Sequence, residues 1–269
     1  MLADAVRNLD LGPDAVVEPA AGGASGSAWL VRIPGRRYVL RLSSRSLTDG
    51  RLGAMAAARG GGLPAPELIR RAAIPHGDAM LLSWLPGRTL YEALLHSPGE
   101  TSRWGRLMGE MQRLLHKIAA PPDLTDVLED AAQPFAAGRG VAQLPDGGAL
   151  LHLDWHPLNL LVDEGGGGIC GIVDWDNARR GHPLLDLART RSMMTVEPSL
   201  ASLPQELRGR IDELVESWME GYGGMARDIP ASCHAWAGRV MLADLEGRYA
   251  GVPAALDPLR RWTERWEAA

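Results

Sequence analysis

Cysteine is almost missing: Cys170 and Cys233 are the only two in 269 residues. Two distant thiols do not make the disulfide framework of a small secreted domain, and Cys170, inside an apolar run, reads as a small buried residue. The N-terminus lacks a basic segment followed by an apolar stretch, so no export signal is read there. No run approaches the ~18 apolar residues that span a bilayer. No block of Lys and Arg matches a phosphate backbone, and the formal charge is −5, which argues against nucleic acid as a partner. There is also no GxxxxGK[ST], so a Walker-type phosphate loop is not indicated. What these absences leave is a cytoplasmic protein without a membrane or nucleic-acid partner; monomer and homodimer both fit.

What is present is enough apolar sequence for a sizeable core, 46% of a chain long enough to favour two lobes over one. Ala20 to Ser27 is small and glycine-rich. Ala28–Ile33, the Pro34-Gly35 turn and Tyr38–Leu42 follow as a hairpin. Gly22, Gly23 and Gly26 would let backbone amides approach a phosphate, and Ser25 shares their loop; a plain flexible turn is the competing reading. Arg41 points opposite to Leu40 and Leu42 if its segment is a strand, so its cation could face phosphates below the turn. A helix is predicted over Leu47 to Arg59. Strands follow at Leu68-Ile69 and Met80 to Leu85, then Pro86-Gly87 and a helix near Thr89 to Leu95. This strand-to-helix passage is a natural boundary between lobes 1–85 and 86–269, and its backbone could pair with an adenine edge.

The most informative stretch is His152 to Asp176, HLDWHPLNLLVDEGGGGICGIVDWD. Leu150–Leu153 is a brief strand-like run, and Leu160–Val162 with Ile169–Val173 form a hairpin. Asp154 then lies before the hairpin and Asp174 after it, with Asn159 entering from the same end. Asp154 could orient a hydroxyl and collect its proton, while Asn159 and Asp174 offer hard oxygen ligands to Mg²⁺. A rival reading takes His152-x-Asp154-x-His156 as part of a transition-metal site for hydrolysis. A packing histidine at 152 and a turn-bracing one at 156 are simpler. A further alternative is a catalytically impaired kinase-like binding protein.

The remaining chain reads as helical. Leu107, Met111, Leu114, Leu115 and Ile118 recur at helical spacing, with His116 beside them as a packing residue. Helices are predicted at Leu184 to Met194, after Leu203-Pro204, at Ser232 to Tyr249 and at Ala254 to Trp266. In the second, Leu207, Ile211, Leu214, Val215 and Trp218 form a stripe. Asp212, Glu213, Glu216 and Glu220, with Trp218 and Tyr222 nearby, could attract a charged amine, or could be a solvated face. Trp236 and Trp262 read as core.

His152-x-Asp154-x-x-x-x-Asn159, then Ile172-Val173-Asp174-Trp175 and Gly181-His182-Pro183-Leu184-Leu185-Asp186-Leu187-Ala188, resembles the aminoglycoside phosphotransferase and choline-kinase-like family. Weaker likeness at Gly22–Ser27, Leu40–Leu42 and Met80–Gly87 extends this over most of the chain. The resemblance implies an α+β protein-kinase-like fold, a small β-rich N-lobe and a mainly helical C-lobe with ATP between them. It implies Asp154 as catalytic aspartate, Asn159 and Asp174 as Mg²⁺ ligands, and His152 as support of the catalytic loop. Ser83, Trp84 and Leu85 match the adenine hinge, and Asp186 braces the loop. The implied activity moves the γ-phosphoryl group of ATP, with GTP left open, to a hydroxyl of a small molecule. An aminoglycoside or other antibiotic is the first choice of acceptor, and a cationic one is compatible with the net charge. The chain departs from the family at Arg41, where Lys is usual, at Trp155 and at His182. No acid lies between Leu52 and Gly62 to pair with Arg41, which leaves Asp49 as the candidate partner at the helix start.

Overall fold

Alternating apolar and polar residues fold the first part of the chain into an antiparallel sheet: β1 (Val16–Pro19), β2 (Ala28–Ile33), β3 (Arg36–Ser43), β4 (Leu68–Ile74) and β5 (Gly77–Ser83). Their spatial order is β1-β2-β3-β5-β4. The computed structural model describes residues 1–20, 28–43, 49–75, 77–131, 134–138, 144 and 147–269, and of 49, 136 and 138 the backbone alone. Gly22, Gly23, Ser25 and Gly26 lie outside the described residues, as does the Asp49 side chain.

Pro34-Gly35 is the predicted two-residue hairpin loop: Ile33 pairs with Arg36, and Gly35 takes φ +75°. The second hairpin is longer than expected, running Leu68–Ile74 and Gly77–Ser83, so Trp84 and Leu85 fall just beyond its strand. The sheet separates two cores. On one face Leu40, Leu42, Ala79 and Leu81 pack with Ala5 of α1 (Leu2–Asn8) and with Leu9 just after it. On the other, Met80 and Leu82 join Ala54, Met55 and Ala58 of α2 (Asp49–Gly60) and the large core beyond. Arg41 lies on this second face, opposite Leu40 and Leu42 as predicted.

After Trp84 and Leu85 come β6 (Arg88–Thr89) and α3 (Leu90–His96). Thr89 and Glu92 form a reciprocal capping box at the start of α3, worth roughly 1 kcal/mol. Then follow α4 (Thr101–Leu115), β7 (Ala149–Leu151), β8 (Leu160–Val162), β9 (Ile169–Ile172) and β10 (Arg179–Gly181). The chain ends in α5 (Pro183–Thr195), α6 (Gln205–Tyr222), the short α7 (Gly224–Arg227), α8 (Ala231–Leu245) and α9 (Asp257–Glu267). Two small ladders, β10-β7 and β6-β8-β9, carry the loops of interest. The architecture is two-lobed, a β-rich N-lobe on a largely helical C-lobe. No described helix is long and apolar enough to cross a membrane.

Of the predicted stripe, Leu115 is buried and Leu107, Met111 and Ile118 pack against the core, whereas Leu114 is 46% exposed. The buried face of α4 runs through Trp104, Met108, Gln112 and Leu115. Close approach to α6 sets that face. A Cβ at Gly109 would sit on the Trp218 carbonyl, and one at Gly221 on the Arg106 carbonyl, so α4 and α6 meet backbone to backbone. The buried amide of Gln112 is satisfied by two helices, donating to Thr190 Oγ1 of α5 and accepting from Trp218 Nε1 of α6.

Candidate active site

The loop between β7 and β8 is built on Asp186. This fully buried carboxylate of α5 accepts the backbone N–H groups of His152 (3.1 Å) and Leu153 (2.8 Å). Leu153 is thereby held at φ +60°, a left-handed conformation that costs a non-glycine residue of order 1 kcal/mol. His116 Nε2 lies 2.9 Å from Asp186, and its Nδ1 2.8 Å from the Tyr222 hydroxyl. Burial pushes the Asp186 carboxyl up, but the bond and charge of His116 outweigh it, so its pKa stays below the usual range. His116 thus packs and braces, as its place beside an apolar stripe suggested. His182 caps α5 by accepting the Leu184 N–H, the task an aspartate would perform there.

His152 is buried, and its Nε2 lies 3.0 Å from the Val173 carbonyl, to which it donates. That bond ties the Asp154 loop to the residue just before Asp174. Burial lowers the imidazole's pKa and keeps it neutral. Its ring lies edge-on to Trp155 and Trp175, both buried, so the large residue after Asp154 fills core space. His152 is fully buried with its Nε2 on Val173, and among the described residues no three His, Cys, Asp or Glu side chains cluster to hold a metal, so His152, Asp154 and His156 do not form a ligand set for a transition metal.

Asn159 donates its Nδ2 to both the backbone oxygen (2.9 Å) and Oδ2 (2.8 Å) of Asp154. His156 Nε2 sits 3.4 Å from Asp154 Oδ1, and its Nδ1 accepts the Leu158 N–H, bracing the turn. Burial would raise the Asp154 pKa, but the hydrogen bond and charge of His156, with smaller help from Arg189, bring it down to about 2. The carboxylate, 22% exposed, is therefore ionised at neutral pH and fixed in orientation.

Asp174, at φ +63°, follows β9 and faces Arg41 of β3. Arg41 Nη2 lies 2.7 Å from Asp174 Oδ1 and 2.9 Å from Asp176 Oδ2. Burial opposes the guanidinium's charge, and the two carboxylates more than offset it. Burial, with Asp154 and Asp176 close by, raises the Asp174 pKa against the pull of Arg41. The predicted residues Asp154, Asn159, Asp174 and Arg41 thus come together, although Arg41 and Asp174 are 133 positions apart.

Asn159 spends its Nδ2 on Asp154, which leaves its carbonyl oxygen free, and Asp174 adds carboxylate oxygen, the hard oxygen donors that suit Mg²⁺. Of the three hinge candidates, Ser83 donates its backbone N–H to the Glu67 oxygen at 2.8 Å, and its Oγ accepts the Glu67 N–H. Trp84 lies under the Arg37 guanidinium, 5.4 Å from ring centre. Sequence reading missed Asp176, which stands two residues after Asp174 in a chain whose α2 lacks an acid beyond Asp49. It missed Arg189 as well, because nothing in a lone arginine after Asp186-Leu187-Ala188 signals proximity to Asp154.

The predicted acidic patch on α6 does not form a joint acidic and aromatic pocket. Glu213, Glu216 and Glu220 are exposed, whereas Trp218 and Tyr222 are buried on the opposite side. Glu216 and Glu220 lie 3.9 Å from Arg227, and Glu213 accepts from Ser102.

Solved structures share this architecture. An aminoglycoside-3'-phosphotransferase of type VIII is 15% identical with a TM-score of 0.63, the match covering 89% of this chain and 97% of that one. An aminoglycoside phosphotransferase of Streptomyces rimosus is 17% identical, TM-score 0.55, over 96% and 97%. An ethanolamine kinase of Plasmodium vivax is 11% identical, TM-score 0.56, over 97% and 82%. No curated protein sequence matches the chain. The profile of the APH phosphotransferase enzyme family matches residues 16–144 and 141–228, together well over half the chain. With that match, and with the fold and loop geometry above, the chain belongs to the APH phosphotransferase enzyme family.

Proposed function

We propose that the protein is an ATP- and Mg²⁺-dependent small-molecule kinase that phosphorylates a hydroxyl group. The observation that carries this reading is the meeting of Asp154, Asn159, Asp174 and Arg41 on two facing loops and a strand. Residues 1–85 form the nucleotide-binding lobe, and residues 86–269 supply the catalytic loop and the acceptor pocket. Gly22, Gly23, Ser25 and Gly26 would cover the phosphates, Arg41 would pair with them, and the Ser83–Leu85 backbone would meet the adenine.

Asp154 receives the acceptor's hydroxyl proton. A carboxylate held at about 2 is a weak base, which suits a loose transition state where the proton leaves only as the bond to phosphorus forms. Its main contribution is orientation: Asn159 fixes one oxygen, and the other is left toward the acceptor beside His156. Asn159 and Asp174 would hold Mg²⁺, which when bound supplies charge neutralisation on the transferring phosphates. The solved relatives named for aminoglycosides support an aminoglycoside or another hydroxyl-bearing antibiotic as acceptor.

The test is an acceptor panel with Mg·ATP, scoring both ADP and phosphorylated product. Product from one or more hydroxyl acceptors, aminoglycosides first, is the expected result. ADP release without product from any acceptor, or neither, contradicts the assignment.

A further inference from the structure

Resting on the phosphotransferase reading above, we propose that Asp176 is the positioning residue for Arg41. It stands in for an acid in the body of α2, where none follows Asp49, and aims the guanidinium at the nucleotide phosphates while Asp174 serves the metal. Between Gly50 and Gly62 there is no Asp or Glu, yet Arg41 is only 15% exposed and requires an anionic neighbour. Two are supplied from the other lobe. One nitrogen, Nη2, carries two N–H donors and meets Asp174 at 2.7 Å and Asp176 at 2.9 Å.

The two carboxylates are not equivalent. Asp174 oxygens are the hard donors of the metal site, and coordination draws electron density from any oxygen shared with a guanidinium. Asp176 has no such competing duty. Its place is set by the single turn Trp175–Asn177, whose buried Trp175 donates Nε1 to the Ile172 oxygen at 2.9 Å. That turn also packs against α2, the helix from which an acid would otherwise come.

Arginine suits this arrangement where lysine does not. With Nη2 anchored by the two carboxylates, the donors of Nη1 are left for phosphate oxygens, and Nε is buried without a partner among the described residues. A lysine carries its three donors on one nitrogen at the end of a shorter stem, so once seated on Asp176 it has no second nitrogen to present to a phosphate. The residue change at 41 and the acid at 176 form one device.

The experiment is calorimetric titration of ATP into the full chain, once with Mg²⁺ and once with EDTA. The proteins are wild type, Asp176→Asn, Asp176→Glu, Arg41→Lys, Arg41→Met and the Arg41→Met/Asp176→Asn double variant, each checked by thermal melting. Asp176→Asn is expected to weaken ATP binding about tenfold in both conditions, the scale of one charged hydrogen bond. Asp176→Glu should restore most of it, Arg41→Lys should lose as much as Arg41→Met, and the double variant should bind no worse than Arg41→Met alone. Wild-type affinity in Asp176→Asn or in Arg41→Lys overturns the proposal. So does a loss confined to the Mg²⁺ titration, which would make Asp176 a metal ligand, or losses that add independently in the double variant. If wild type binds no ATP in either condition, the phosphotransferase reading itself falls.

Discussion

Asp154, Asp174, Asp176 and Asp186 gather around two adjoining loops, each with a named partner, whereas Glu213, Glu216 and Glu220 run along the outer face of α6. The first group is scattered along the sequence, and the second has the regular spacing of one helix face. Their difference lies in burial and attachment. Asp154 is tied by Asn159, Asp174 and Asp176 by Arg41, and Asp186 by two backbone N–H groups and His116. Glu216 and Glu220 make long ion pairs in water, where screening leaves little energy, and Glu213 accepts from Ser102 at the surface. A carboxylate acquires a chemical task when its neighbours fix where its oxygens point, and regular spacing alone does not do that.

This contrast can be broken at several points. Asp154→Asn keeps the shape of the site and removes the proton acceptor, so phosphorylation should fall about 10²- to 10⁴-fold with an unchanged melting curve. Unchanged turnover would remove Asp154 from its role. Asp186→Ala strips two backbone donors and His116 of their partner inside the core. Roughly 3 kcal/mol of stability should be lost, read by urea unfolding, and a loss below about 1 kcal/mol would show the loop holding itself.

The same rule applies to a buried base. His234 stacks on Trp266 and lies edge-on to Trp262, and burial brings its pKa from 6.5 down to about 4. Because the folded value lies below the unfolded one, the unfolded chain binds the proton first. Stability from this group is intact above pH 6.5, declines as pH falls toward 4, and is level below that, a total of roughly 3 kcal/mol. His234→Phe should flatten that part of the stability–pH curve, and an unchanged slope would refute it. The smallest effect is expected from Glu213→Gln, Glu216→Gln and Glu220→Gln combined. Stability should move by less than about 1 kcal/mol and acceptor KM should hold. A large rise in KM would make the α6 face part of the acceptor site.

Much of this was legible in the sequence because it is local. The Pro34-Gly35 hairpin, the strand pair around the Asp163–Gly168 turn, and the five-residue step from Asp154 to Asn159 are all short-range patterns. The alternation that sets Arg41 against Leu40 and Leu42 is equally local, since a strand has period two. The partners of Arg41 were not legible, because they depend on how the two lobes meet across more than 130 residues. Asp176 was in plain view, but only its distance to Arg41 distinguishes it from a solvated aspartate. Leu114 was misplaced, and the inward part played by Gly105 and Gly109 was not legible, because it depends on how closely α6 approaches. Asp186 was expected to brace the loop, yet its link through His116 to Tyr222 needs three helices at once.

The most direct measurement replaces Mg²⁺ with Mn²⁺ and follows the free-ion EPR signal as protein is added in the presence of ATP, for wild type, Asn159→Ala and Asp174→Ala. Wild type should take up nucleotide-bound Mn²⁺, and each variant should bind it at least about tenfold more weakly. Equal uptake by all three proteins would mean that these two side chains do not hold the metal, and the phosphotransfer site described here would be wrong.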